Sequence, residues 1–278
     1  MQIDIPSTIG VALTISDQPM QASEYPTRRL MKGIVMSREG LDLTEEAVGF
    51  GVPVVKRGIE TYFPGGMDLI RLPGSSIQAF TARYKINLVE RIMQNGRTME
   101  RQPAFYGLKN LMAAMIRNIP LLRKPLTQLS LLLRAQNDWE TTYIPGEEVG
   151  FIEVAFGFSR QNNTIEVGAD LSALSMNGIT EVILMNEQGG NIFDRYHESN
   201  GVHLEGTKIG AWDEVFAEEA AFASSTQGIA FSIKRIEGTR LFRGRELIDK
   251  RLAWSGFGIS VPPTVKSLNY TIKLESSA

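Results

Sequence analysis

Both histidines of the chain fall within one short stretch, Phe193–Gly206, FDRYHESNGVHLEG, beside an aspartate, two glutamates, a tyrosine and an arginine. Histidine next to carboxylates is the usual equipment of general acid–base chemistry, because a carboxylate raises the imidazole pKa and fixes its tautomer. Asn200-Gly201 is a pair favoured in two-residue type I′ hairpin loops. With those two as the loop, Ser199 pairs with Val202, Glu198 with His203, His197 with Leu204 and Tyr196 with Glu205. Alternation then gathers Asp194, Tyr196, Glu198, His203 and Glu205 on one face. Phe193, Arg195, His197 and Leu204 fall on the other, more apolar face, where His197 is expected to be a packing residue. The candidate catalytic set is therefore His203 with Glu198 or Glu205.

Candidate ligand-binding residues surround that set. Tyr196 offers a hydrogen bond or a stacking surface, and Trp212 with Asp213 follows directly. An aromatic beside carboxylates suits a sugar, whose C–H face covers an indole while its hydroxyls meet acceptors. From Lys234 to Arg251 there are seven basic residues against three acids. Arg243 and Arg245 in this stretch carry the planar fork that fits a uronate or another anion. Three readings stay open: catalysis, binding without catalysis, and a plain wet face. A one-residue slip in register dissolves the constellation.

Composition narrows the classes. A hydrophobic fraction of 43%, a charged fraction of 22% and a net charge of −2 are those of an ordinary globular protein and give nucleic acid no broad attraction. With no cysteine, disulfides, thiolate nucleophiles and zinc–cysteine sites are excluded. No H-E-x-x-H, P-loop, G-x-S-x-G or EF-hand pattern occurs, so no metal and no cofactor is expected. The dinucleotide-like GFGVPVVKRG fails on Pro53 and a missing third glycine. The opening residues lack a basic, then apolar, leader, and no run of about 18 apolar residues suggests a membrane span. A cytoplasmic location is the expectation.

The elements that must position these residues are mainly strands. SLNYTIKLE alternates Leu268, Tyr270, Ile272 and Leu274 with Asn269, Thr271, Lys273 and Glu275, as in a strand with one buried face. Similar patterns recur in GIAFSIKRI, LAWSGFGISV, TIEVGADLSAL and TEVILMNE, and toward the front in ETYFPG and FTARYKINLVERI. One segment differs. Residues 105–136 are rich in Leu, Met and Ala, with Pro120 and Pro125 dividing them into helices near 105–118 and 125–136. The fold expected is mainly β, a large antiparallel β-sandwich with an α-helical insertion near 104–137. One domain over 1–278 is the preferred division, since no linker-like stretch appears; 1–100 and 145–278 as two β-rich domains is the alternative.

The later segments AAFASSTQGIAFSIKRI, LFRGRELIDKRLAWSGFGISV and LNYTIKLE resemble the meanders of the galactose mutarotase-like super-sandwich, found in sugar epimerases, glycoside hydrolases and polysaccharide lyases. That resemblance implies a carbohydrate-active or carbohydrate-binding protein, with a saccharide or other small polar ligand as partner. No family catalytic residue maps onto this chain. From a different class comes the alternative of a non-catalytic assembly protein, whose insertion at 105–136 docks a protein partner or its own copy.

Overall fold

The computed structural model describes residues 1–7, 9–18, 30–71, 79–99, 102–118, 139–175, 177–210, 212–247 and 253–277, with scattered positions between 125 and 137. A first sheet joins β1 (Gln2–Pro6), β2 (Ala12–Ser16), β3 (Val35–Arg38) and β4 (Leu41–Asp42) in that order. The larger sheet uses β5 (Gly49–Arg57), β6 (Glu60–Arg71), β7 (Ala79–Gln94), β8 (Arg97–Thr98), β9 (Glu140–Ser159), β10 (Thr164–Asp170) and β11 (Ile179–Gly189). It continues with β12 (Arg195–Glu198), β13 (His203–Glu205), β14 (Asp213–Val215), β15 (Glu219–Ala223), β16 (Ile229–Lys234), β17 (Arg240–Leu247), β18 (Ala253–Val261) and β19 (Ser267–Ser276). Its order is β13-β12-β15-β16-β19-β10-β9-β7-β6-β5-β11-β18-β17-β14, with β8 beside β7. The fold is a mainly β, antiparallel sandwich.

The strand patterns explain the layering. β19 alternates buried and exposed residues along almost its whole length, so one face is wet. β5 is buried from Gly49 to Val55 without alternation, which requires cover on both faces. The long strands β7 and β9 carry the sheet around. Ile86 pairs with Gly150 while Leu88 pairs with Pro145, so residues 146–149 form a bulge that bends the ribbon.

The two ends of the path thereby face each other. Phe231 on β16 meets Phe50 on β5 edge-on at 5.2 Å and Phe257 on β18 at 5.9 Å. Phe193 and Phe222 complete the contact at 5.0 and 5.7 Å from the same ring. Tyr270 on β19 donates to the Asn186 side chain on β11 at 3.0 Å. The buried cluster around these rings draws on residues from Ile3 to Leu274.

The expected helix is present as α1 (Pro103–Asn118), with proline at its first position, where its missing N–H costs nothing. Phe105 turns inward, edge-on to Trp139 at 5.1 Å. The second expected helix, 125–136, lies largely outside the described residues.

Phe231 is fully buried among four other aromatic rings. Phe231→Ala is expected to cost about 3–5 kcal/mol, whereas Phe216→Ala, at a 72% exposed ring, should cost almost nothing. Urea unfolding of both variants checks this. A small loss at Phe231 would mean that the layers are not joined through this ring.

Candidate functional site

The hairpin forms where expected but in a different register. Observed pairs are Arg195 with Glu205, Tyr196 with Leu204 and His197 with His203. The loop is Ser199-Asn200-Gly201, closed by Glu198 N–H to the Val202 carbonyl at 2.9 Å. Gly201 has a φ of +94°, while Asn200 is not among the residues with positive φ, so the type I′ turn cannot form. Instead the Asn200 side chain accepts from Val202 N–H at 3.3 Å and donates to Glu198 Oε2 at 3.0 Å. A three-residue loop with one left-handed glycine shifts every expected pair by one position.

That shift separates the expected catalytic set. His203 and Glu205 lie exposed on one face with His197 and Arg195. His203 stands across from His197, ring centroids 6.2 Å apart, and not across from Glu198. Glu205 faces Arg195 at 3.6 Å. His197, expected to pack, is exposed.

Glu198 points the other way with Tyr196, into a buried knot around Arg243. Tyr196 donates to Glu198 Oε1 at 2.7 Å, and its ring lies under the Arg243 guanidinium at 4.8 Å. Burial and the Glu198 carboxylate together push the Tyr196 phenol far above its usual range, so it stays a donor. Arg243 Nη1 donates to the Ile209 carbonyl, Nη2 lies 3.4 Å from Asp213 and Nε 3.8 Å from Glu198. Arg245 donates to the Gly190 carbonyl at 2.9 Å, and burial lowers its pKa. Tyr196, Asp213 and Arg243 thus bind one another and the backbone, so the Arg243 fork is not open to an anion as expected, while Arg245 has its Nε on a backbone carbonyl.

Trp212 lies elsewhere, on the opposite face of the β11–β18–β17 sheet. Cross-strand pairing sets Glu187, Gly256 and Gly244 in one row and Gly189, Trp254 and Glu246 two rows on, on the same face. Trp212 and Trp254 stack at 4.7 Å, 27° from parallel. The glycines make room for them: a Cβ on Gly244 would sit 2.6 Å from the Trp254 ring, and one on Gly258 2.9 Å from that of Trp212. Trp254 Nε1 donates to Glu246 at 3.3 Å.

Glu187 lies at the foot of this face and is only 5% exposed. Burial pushes its pKa up to about 8; the Glu246 charge adds to the rise, while the Val48 amide and the Lys32 charge oppose it. The Lys32 ammonium is held by the Glu45 carbonyl at 2.7 Å. Burial thus keeps the Glu187 carboxyl protonated in a range where an ordinary glutamate is ionised, as a proton donor requires. Sequence reasoning found Trp212 but missed Trp254, Glu246 and Glu187. A signal was present in AWSGFGIS, where alternation puts one tryptophan and two glycines on a common face.

Among the described residues no group of three or more potential ligand side chains is placed to hold a metal ion, and no helix is long and apolar enough to cross a membrane.

No protein-family model and no curated protein matches the chain. Among solved structures, the complex of the α-N-acetylgalactosaminidase NagBb from Bifidobacterium bifidum with GalNAc matches 99% of this chain at a TM-score of 0.51 and 10% identity. This chain spans 36% of the length of NagBb, and the likeness is one of fold. A galactose mutarotase-like protein from Lactobacillus casei matches over 99% of both chains at 9% identity and a TM-score of 0.39. The galactose mutarotase-like description read from the strand pattern recurs in the name of this second structure.

The Glu187 pKa has a consequence for stability. A carboxyl whose folded pKa is about 8, against an ordinary 4.5, binds its proton more tightly in the folded state. Its contribution is complete below pH 4.5 and is lost as pH rises through 8, at up to about 1.4 kcal/mol per pH unit. Urea unfolding between pH 5 and 9 is expected to show this decline in the wild type and a flatter profile in Glu187→Gln. Parallel profiles would mean that Glu187 does not hold a buried proton.

Proposed function

We propose that the chain is a carbohydrate-binding or carbohydrate-active protein whose ligand lies along the Trp212–Trp254 face. The observation that carries this reading is the stacked indole pair, set over glycines with the Glu246 carboxylate at its edge. Indoles accept the C–H face of a sugar, and a carboxylate beside them takes its hydroxyl protons. The fold likeness to an α-N-acetylgalactosaminidase captured with GalNAc supports the same class of ligand. Where chemistry follows binding, Glu187 is the proton donor and Glu246 the acceptor. The exposed His203 and Glu205 then belong to the hairpin rim, and Glu198 to the Arg243 knot. Because residues of both β-rich blocks share one buried cluster, we take residues 1–278 as a single domain.

The assembly reading also has an observation of its own. On α1, Leu108 and Leu111 are 44% and 59% exposed, three residues apart on one side, with the exposed Ala104 a turn before them. Light scattering across a concentration series is expected to show association that Leu108→Glu with Leu111→Glu removes. A wild type that remains monomeric at all concentrations ends this reading for self-assembly.

For the carbohydrate reading the test is a binding screen against neutral and uronic-acid oligosaccharides. Trp254→Ala is expected to weaken binding at least about tenfold, some 1.4 kcal/mol. Glu246→Gln should weaken it less, and His203→Ala should leave it unchanged. Circular dichroism confirms that each variant is folded. A wild type that binds no saccharide, or a Trp254→Ala variant that binds as well, sinks the proposal.

A further inference from the structure

The one-residue shift that parts His203 from Glu198 sets it directly across the hairpin from His197. Both side chains are exposed, and β13 is the outermost strand of its sheet path, so the pair is open to water on its free side. The backbone pattern brings these two side chains close. Glu198 N–H bonds the Val202 carbonyl inside the hairpin, and Ser199 N–H bonds the Glu219 carbonyl on β15. Backbone groups alternate in direction along a strand, so those of His197 turn to β15. His197 and His203 are therefore a non-hydrogen-bonded pair, the kind whose Cα atoms stand about 4.5 Å apart and whose side chains come closest.

The two rings lie with centroids 6.2 Å apart and planes 27° from parallel. Among the described residues neither ring has any other hydrogen bond, ion pair or ring contact. The neighbour of His197 on its other side, Ala221, carries only a methyl group. Arg195 and Glu205, the next pair along on this face, meet each other at 3.6 Å, so their charges offset. Beneath the pair the hairpin is anchored: Tyr196 faces inward against Phe222, and Leu204 packs on the core. A neutral imidazole has one nitrogen lone pair to give, so a fixed backbone presents two such lone pairs side by side. An imidazole nitrogen sits about 2.0–2.1 Å from zinc, so two rings on one ion have centroids about 4.5–5 Å apart. The observed separation must close by about 1–2 Å, within reach of exposed side chains turning about χ1 and the broad χ2 of histidine.

We propose that His197 and His203 together hold one divalent transition-metal ion, copper(II), nickel(II) or zinc, each through one ring nitrogen. Imidazole suits these ions, whereas magnesium and calcium prefer oxygen. The affinity order at a nitrogen site puts copper first. The protein supplies two ligands, and water or an outside donor completes the shell, so the ion is open on its solvent side. No spacing motif in the sequence announces the pair, because its members lie on two strands and meet only in the observed register. This site is separate from the indole face and goes beyond the saccharide reading.

Calorimetric titration of the untagged chain with copper(II), nickel(II), zinc and magnesium chlorides tests the assignment. One copper(II) per chain is expected, with nickel and zinc weaker and magnesium not bound. The electron spin resonance spectrum of the copper complex is expected to show two coordinated nitrogens. Once one imidazole binds, the second joins from within the same molecule, so His197→Ala and His203→Ala should each weaken binding roughly a hundredfold. Both residues are exposed, and circular dichroism checks that each variant is folded. Trp254→Ala should bind copper as the wild type does, whether or not it has lost oligosaccharide binding, so the two sites fail independently. The proposal is overturned by a wild type that binds none of the three transition ions, or that binds magnesium as tightly. It is overturned equally by a single coordinated nitrogen, by one ion shared between two chains, or by full affinity in either folded histidine variant.

Discussion

A residue on a strand has two faces to choose between, and the pairing register chooses for a whole row of strands at once. Across β5, β11, β18 and β17 one row reads Phe50, Asn186, Phe257, Arg243, and all four turn toward the layer between the sheets. The neighbouring row reads Gly49, Glu187, Gly256, Gly244 and turns away from it. Polar side chains in the buried rows lock that choice. Asn186 Oδ1 accepts from Gly51 N–H at 3.1 Å and from Tyr270 at 3.0 Å, and Ser255 donates to the Phe193 carbonyl at 2.6 Å. A slip of one residue would send Glu187 into the aromatic layer and leave these partners without bonds. The indole face exists because the other face is so specified.

The Arg243 knot does for the hairpin what the aromatic layer does for the sheets. Its side chain is 12% exposed, so its charge is costly unless matched. Asp213 lies beside it on β14, Glu198 reaches it from β12, and the Ile209 carbonyl comes from the 3-10 turn at 206–209. The match is incomplete, since Nε is buried with Glu198 at 3.8 Å and no hydrogen-bond partner. Three separate pieces of backbone are thereby tied to one guanidinium. A group spent on that task has no free side left for a ligand.

Legibility in the sequence followed how local each determinant was. β19 could be read because its alternation is complete within ten residues. The helix at 103–118 followed from composition and a nearby proline. β5 gave no alternation because both its faces are covered, and the second cover comes from elements distant in the chain. The hairpin register depended on whether Asn200 would take a left-handed backbone. Its side chain instead bonds Glu198 and Val202, and Tyr196 must lie inward against Phe222 and Phe257. The first is local but subtle; the second is tertiary. Arg243 looked free because Ile209, Asp213 and Glu198 lie 30 or more residues away in sequence.

Glu187 and Glu60 show how far environment, and not residue type, sets chemistry on this scaffold. Both are glutamates on β-strands and both are removed from bulk water to some degree. At Glu187 burial dominates, and one amide and the distant Lys32 charge oppose it too weakly, so the carboxyl keeps its proton to about pH 8. At Glu60 burial again pushes upward, but hydrogen bonds from Tyr62 and Arg91, with the charges of Arg91 and Lys109, outweigh it and hold the carboxyl below its usual range. The first is a neutral donor below about pH 8; the second is a fixed anion bonded to Tyr62 and to the Arg91 guanidinium. Desolvation without partners makes an acid, whereas desolvation with partners makes a clamp. The difference lies in which strands the register brings alongside, so the same constraint that orders the core also decides what each carboxylate can do.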